Sequence, residues 1–181
     1  TGFSFGTSVE QYEDLFFTPQ FSTYFEHLVT DSTASDNLKK QAGDYFETTF
    51  SYNIDYDKRN QTWQTSEGFR SQFTQAIPLV SDNWAMLNGY EYTQWLNFEN
   101  DLISKIDFYG RAKNSITGDD VRVSERLHLP RGRLKGFTSR AIGPVDGSDF
   151  VGGNFSAAIN YSSTLPMLLP SVETADFKFF I

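Results

Sequence analysis

Residues 44–57 alternate without a break. Phe46, Thr48, Phe50, Tyr52, Ile54 and Tyr56 fall on one parity, and Tyr45, Glu47, Thr49, Ser51, Asn53, Asp55 and Asp57 on the other. Side chains point to opposite sides of a strand with a period of two, so this segment has an aromatic face and a polar, acidic one. It is about twice the length of a usual globular strand, and close to a tilted membrane-crossing strand with its extensions.

The same pattern recurs along the chain. Residues 3–13 set Phe3, Phe5, Thr7 and Val9 against Ser4, Gly6, Ser8 and Glu10; a shorter segment sets Phe21, Thr23 and Phe25 against Ser22, Tyr24 and Glu26. Residues 68–77 offer Phe69, Phe73 and Ile77 on one side, and 86–98 offer Tyr90, Tyr92, Leu96 and Phe98, with Trp95 interrupting the polar side. Residues 102–112 oppose Ile106 and Phe108 to Lys105, Asp107 and Arg111. Late in the chain Phe155, Ala157, Ile159 and Tyr161 oppose Asn154, Ser156, Ala158 and Asn160, and a last strand starts near Ala175. These segments read as eight strands in succession. A tight turn is expected at Glu99-Asn100-Asp101, and long connections at 29–43 and 115–149. Short turns at one end and long loops at the other are the layout of outer-membrane barrels. A soluble antiparallel sheet with one wet face also alternates; strand length and aromatic load favour the membrane.

Composition narrows the field further. Aromatic residues make up 17% of the chain, with 18 Phe and 9 Tyr, yet mean hydropathy is −0.43. No run approaches the roughly 18 apolar residues that a transmembrane helix needs. The formal net charge is −8 and the basic stretch 131–135 is short, which argues against nucleic acid as a partner. There is no cysteine, so neither a disulfide framework nor a thiolate metal site is available. The chain opens on Thr1 without a leader-like segment and stops at Ile181 inside an alternating segment; part of a larger barrel is expected.

The segment 121–153 is of another kind. It carries Leu134-Lys135-Gly136-Phe137, then Gly143-Pro144, then Gly152-Gly153, preceded by Ser124-Glu125-Arg126 and Leu129-Pro130. A connection this long without periodicity is usually functional or disordered. A glycine at 136 suits a close backbone approach or a positive φ, and Gly143-Pro144 suits a fixed turn. These motifs resemble the sixth extracellular loop of the outer-membrane protein assembly factors of the bacterial surface antigen family. The run Tyr56-Asp57-Lys58-Arg59-Asn60 followed by Thr65-Ser66-Glu67-Gly68 is similar to that family's strand, turn and glycine-led next strand. Residues 155–166 and 176–180 resemble the two strands after the loop.

The resemblance implies an all-β fold: an antiparallel transmembrane β-barrel, present in part. Residues 1–181 would be part of the C-terminal barrel domain, with the signature loop over about 115–149. The eight strands would be the sixth to thirteenth of sixteen. It implies a non-enzymatic factor of the bacterial outer membrane that folds and inserts client β-barrel proteins. Its partners would be those clients, accessory lipoproteins of the assembly complex and outer-membrane lipid, with no cofactor. A polypeptide-secretion pore of the same superfamily and a passive diffusion porin stay open as alternatives. The family has Arg where this chain has Lys135; there the cation reaches into the lumen and pins the loop to acidic groups on the following strands. In this chain the nearest lumen position on the first of those strands is Ser162.

The remaining polar residues suggest little chemistry. His128 reads as a solvated loop histidine, and Asp119, Asp120, Asp146 and Asp149 as solvated carboxylates without EF-hand spacing. Ser124 and Ser139 lack a nucleophile-and-base context. Trp63, Trp84 and Trp95 are expected as anchors at the membrane interfaces.

Overall fold

A computed structural model describes residues 1–98, 102–134, 136–138, 140–164 and 178–180. In chain order its strands are β1 (Gly2–Gly6), β2 (Val9–Tyr12), β3 (Leu15–Leu28), β4 (Gly43–Asp57), β5 (Gly68–Ser81) and β6 (Ala85–Phe98). They continue as β7 (Leu102–Ser115), β8 (Val145–Asp146), β9 (Asp149–Phe150), β10 (Phe155–Thr164) and β11 (Lys178–Phe180). One antiparallel sheet runs β1-β3-β4-β5-β6-β7-β10-β11, with β2 also pairing β3; β8 and β9 form a separate hairpin. The strands thus pair in sequence order, as a meander. A short helix, α1 (Asp36–Lys39), lies between β3 and β4 and is capped by Ser35, whose hydroxyl accepts from the Leu38 amide.

Most strands run further than their alternation indicates. β3 pairs with β4 along its whole length, from Leu15 opposite Tyr56 to Leu28 opposite Gly43, so the expected short strand over 21–26 is corrected. Pro19 conceals the extension, because proline normally marks the end of a strand. The same residue divides the expected strand 3–13. Gly6 lies opposite Gln20 and Val9 opposite Phe17, with the Thr7 amide donating to the Pro19 carbonyl at 3.2 Å. Proline has no N–H to return, and the ladder breaks there into β1 and β2. Pro78 hides the end of β5 in like manner. Thr49 faces Pro78 while Thr48 faces Val80, so Leu79 is bulged out and the strand continues to Ser81. The turn expected at 99–101 lies outside the described residues.

The two faces are buried in the reverse of the usual order. Phe3, Phe5, Phe25, Phe155 and Ile159 are all more than 60% exposed, whereas Glu47 and Asp107 are 6% and 8% exposed. The outer aromatic face is continuous. Phe5 of β1 stacks on Phe21 of β3 at 5.5 Å, Phe21 meets Phe50 of β4 at 4.9 Å, and Tyr52 of β4 meets Phe73 of β5 at 6.2 Å. Phe25–Phe46, Phe69–Tyr92 and Tyr90–Phe108 repeat the arrangement along the sheet. Such pairs are each worth ~0.5–1.5 kcal/mol beyond burial. A soluble sheet would bury this face; here it is the polar face that is covered. The buried apolar residues Ala85, Tyr109, Val121, Val123, Val151 and Ala158 all lie on that covered side or in the loop over it.

Candidate functional site: a loop docked on the polar face

The connections 29–42, 82–84 and 116–154 share one end of the sheet, and 13–14 and 58–67 share the other. The longest does not project away. Its two legs are joined where Leu127 and Gly153 exchange amide-to-carbonyl bonds of 2.8 and 3.0 Å. Gly152 is required at that junction. Its φ is +70°, and a Cβ there would lie 2.8 Å from the Leu127 carbonyl oxygen and 2.9 Å from the His128 ring. The β8–β9 hairpin follows Gly143-Pro144, and the Pro144 carbonyl accepts from the Val151 amide at 3.0 Å.

One attachment lies near the long-loop end. Val121 is fully buried and Val123 nearly so. Between them Arg122 sets its guanidinium 3.8 Å from the centre of the Tyr45 ring, 3.5 Å from Glu26 on β3, and against Glu125. Lys113 of β7 reaches Glu125 at 2.9 Å. Burial works against ionisation of Glu125, but the bond from Arg122 and the charge of Lys113 outweigh it and hold its carboxyl below the usual range. The Val123 amide donates to the Gln41 side chain at 2.7 Å, tying the loop to the segment after α1. The Tyr24 hydroxyl and Thr49 hydroxyl both donate to Glu47 beneath, at 2.8 and 2.6 Å.

The second attachment is deeper. Arg133 donates to Asp107 on β7 at 2.7 Å and bonds Glu91 on β6, with its guanidinium 4.9 Å from the centre of the Tyr109 ring. All three acceptor surfaces are prepared beforehand. Asp107 also accepts from the Thr93 hydroxyl at 2.8 Å, Glu91 accepts from Arg111 at 3.3 Å, and the Arg111 guanidinium lies 5.4 Å from the centre of the same Tyr109 ring. Below this point the polar face carries a ladder of ion pairs. Arg70 takes Asp55 through two bonds of 3.0 and 2.6 Å, and Arg59 takes Asp57.

The signature residues are distributed as follows. Leu134 and Phe137 line a small cavity within the loop with Leu129, Pro130 and Ile142. Gly136 and Gly143 have φ of +83° and +129°. Gly152-Gly153 lie just before β10. Lys135 and Ser139 lie outside the described residues, as does most of the approach to β11. Ser162 is half-buried and shares the polar parity with Asn160, which faces Asp107.

Several expectations are corrected. His128 is half-buried against Gly152, and burial together with the charge of Arg140 lowers its pKa. Asp146 and Asp149 are inter-loop contacts, accepting from the Asn37 side chain at 2.9 Å and the Ser35 amide at 3.1 Å. Trp95 faces the polar side, with Arg59 and Lys105 at 5.7 and 5.6 Å from its ring, and is no membrane anchor. Arg122, Arg133, Glu91 and Asp107 were not singled out from sequence as a site. The parity of Glu91 and Asp107 marks them as polar-face carboxylates, but nothing local tells which loop arginine they meet. Among the described residues no group of His, Cys, Asp and Glu is arranged to hold a metal ion.

Comparison with known proteins bears on the whole chain. The family model described as the Omp85 superfamily domain matches residues 1–181. Among solved structures, the crystal structure of BamA from Haemophilus ducreyi lacking POTRA domains 1–3 superposes with a TM-score of 0.70 at 15% identity. The match covers 89% of this chain and 36% of that one. No curated protein sequence matches the chain.

Proposed function

The chain belongs to the Omp85 superfamily, and on that premise we propose that the protein containing it folds and inserts client β-barrels into the outer membrane without catalysing covalent chemistry. That it is a bacterial outer-membrane β-barrel protein follows from the family and the fold; its polar face is therefore the lumen wall. The observation that carries the assembly reading is the loop 116–154 held against that wall by Arg122 and Arg133. Loops also narrow or plug passive barrels; what favours assembly here is where this one is tied, to β3 and β4 at one point and to β6 and β7 at another, which suits a wall that must keep its register while other strands part and rejoin.

Residues 1–181 form part of the barrel domain in this reading. Leu134, Lys135, Gly136 and Phe137, with Gly143-Pro144 and Gly152-Gly153, are the segment that shapes the docked loop. Client barrels, accessory lipoproteins and lipid are the partners. The test is depletion of the full-length protein in its own cell. The folded fraction of other outer-membrane barrels, followed by heat-modifiable gel mobility, should fall while secretion of soluble polypeptides continues. Normal barrel biogenesis with lost secretion would indicate the secretion pore instead. High steady conductance of the purified protein, with biogenesis intact, would indicate a porin.

A further inference from the structure

The polar-face ion pairs divide unequally between wall and loop. Arg59–Asp57, Arg70–Asp55 and Arg111–Glu91 each join residues of the wall or its turns. Arg133 alone among the described loop residues between 127 and 153 bonds carboxylates of the wall, and it bonds two, on neighbouring strands. The contact is well shielded: the Arg133 side chain is 25% exposed, Glu91 23% and Asp107 12%. Its guanidinium plane also covers the Tyr109 ring, which is 2% exposed. Two carboxylates and an aromatic face arranged about one guanidinium suit arginine's planar fork and not lysine's point charge.

We propose that Arg133, two residues ahead of the motif cation, is the positioning residue that locks this loop to the lumen wall, through Glu91 and Asp107. The lock engages strands that precede the loop, so it closes over β6 and β7 and does not require a carboxylate on the strands that follow. Arg122 holds the first leg to β3 and β4. Together the two arginines tie wall strands that are not neighbours in the sheet, with β5 between them.

The experiment uses the full-length protein in isolated outer membranes, with limited proteolysis of the loop as the readout and heat-modifiable mobility as the control for an intact barrel. Arg133→Gln should speed cleavage within 128–150 by roughly tenfold or more, as loss of a shielded charged bond implies. Arg133→Lys should fall between, because lysine reaches one carboxylate but not both. Asp107→Asn should loosen the loop too, and Arg133→Gln with Asp107→Asn should be no worse than the poorer single variant. A loop that stays resistant in Arg133→Gln, or additive effects at 133 and 107, would overturn the proposal. So would a Lys135→Ala variant that loosens the loop while Arg133→Gln does not. None of these outcomes depends on whether the protein assembles barrels, secretes polypeptides or conducts ions.

Discussion

A few residues carry constraints that no neighbour could take over. Gly68 opens β5 with φ of +104°, and a Cβ there would come within 2.1 Å of the Lys58 carbonyl oxygen. Gly68→Ala should therefore cost about 1–3 kcal/mol, seen as a lower denaturant midpoint of the refolded full-length barrel; an unchanged midpoint would refute the strain. Glu125 makes the docked loop sensitive to acid. Its folded pKa is depressed, so its contribution is complete above the ordinary carboxylate value of about 4.3 and is lost as pH falls through the lower folded value. The groups facing it are Arg122 and Lys113, with Glu26 and Tyr24 about the same guanidinium. An acid-active protease should cut the loop faster below about pH 4, and Glu125→Gln should loosen it at neutral pH while flattening that acid-dependent rise. Equal acid sensitivity in the variant would assign the effect elsewhere. The resemblance marked Gly68 as the glycine that leads a strand, and the sequence marked Gly136 for a close backbone approach or a positive φ. It placed Glu125 only in the approach to the loop and did not flag Arg133, because a charge in a loop has no periodicity to betray where it is buried.

Strands were legible because alternation is local. Each of the eight expected strands is present at least in part among the described residues; Pro19 within β3 and Pro78 before the Leu79 bulge hide two of the boundaries, while β7 outruns its expected end at 112 with no proline to account for it. A single-residue rule reads proline as an ending, whereas the sheet absorbs it where its missing N–H faces a break or a bulge. The assignment of faces yields a sharp test. Phe50 lies on the outer aromatic face between Phe21 and Tyr52, and its neighbour Ser51 on the lumen face. Phe50→Lys should lose ~2–4 kcal/mol and most of the folded barrel, since a charge meets lipid there, while Ser51→Lys should fold. Heat-modifiable mobility distinguishes them, and equal tolerance of both would mean that the aromatic face does not meet lipid.

At the level of the whole molecule, the sheet runs from an edge at β1 and β2 to one at β11. Among the described residues no pairing joins those edges, so the 181-residue chain expressed by itself should not insert as a closed monomer. Each unpaired backbone group in hydrocarbon costs on the order of several kcal/mol; recovery of a monomeric, protease-resistant, membrane-embedded species would contradict this. By itself the sequence determined the all-β class, the order of the main strands, the two chemically distinct faces and the loop that sets this chain apart, because each is written in neighbours two residues apart or in one short motif. The reversal of burial, with Phe and Ile outside and Glu47 and Asp107 within, needed the tertiary structure. So did the attachment of the loop. Arg133 meets Glu91 and Asp107 across 42 and 26 residues of chain, and only the register of β6 against β7 brings two carboxylates to the same place. The alternation at 44–57 therefore set what kind of wall this chain builds, while long-range pairing decided what that wall holds.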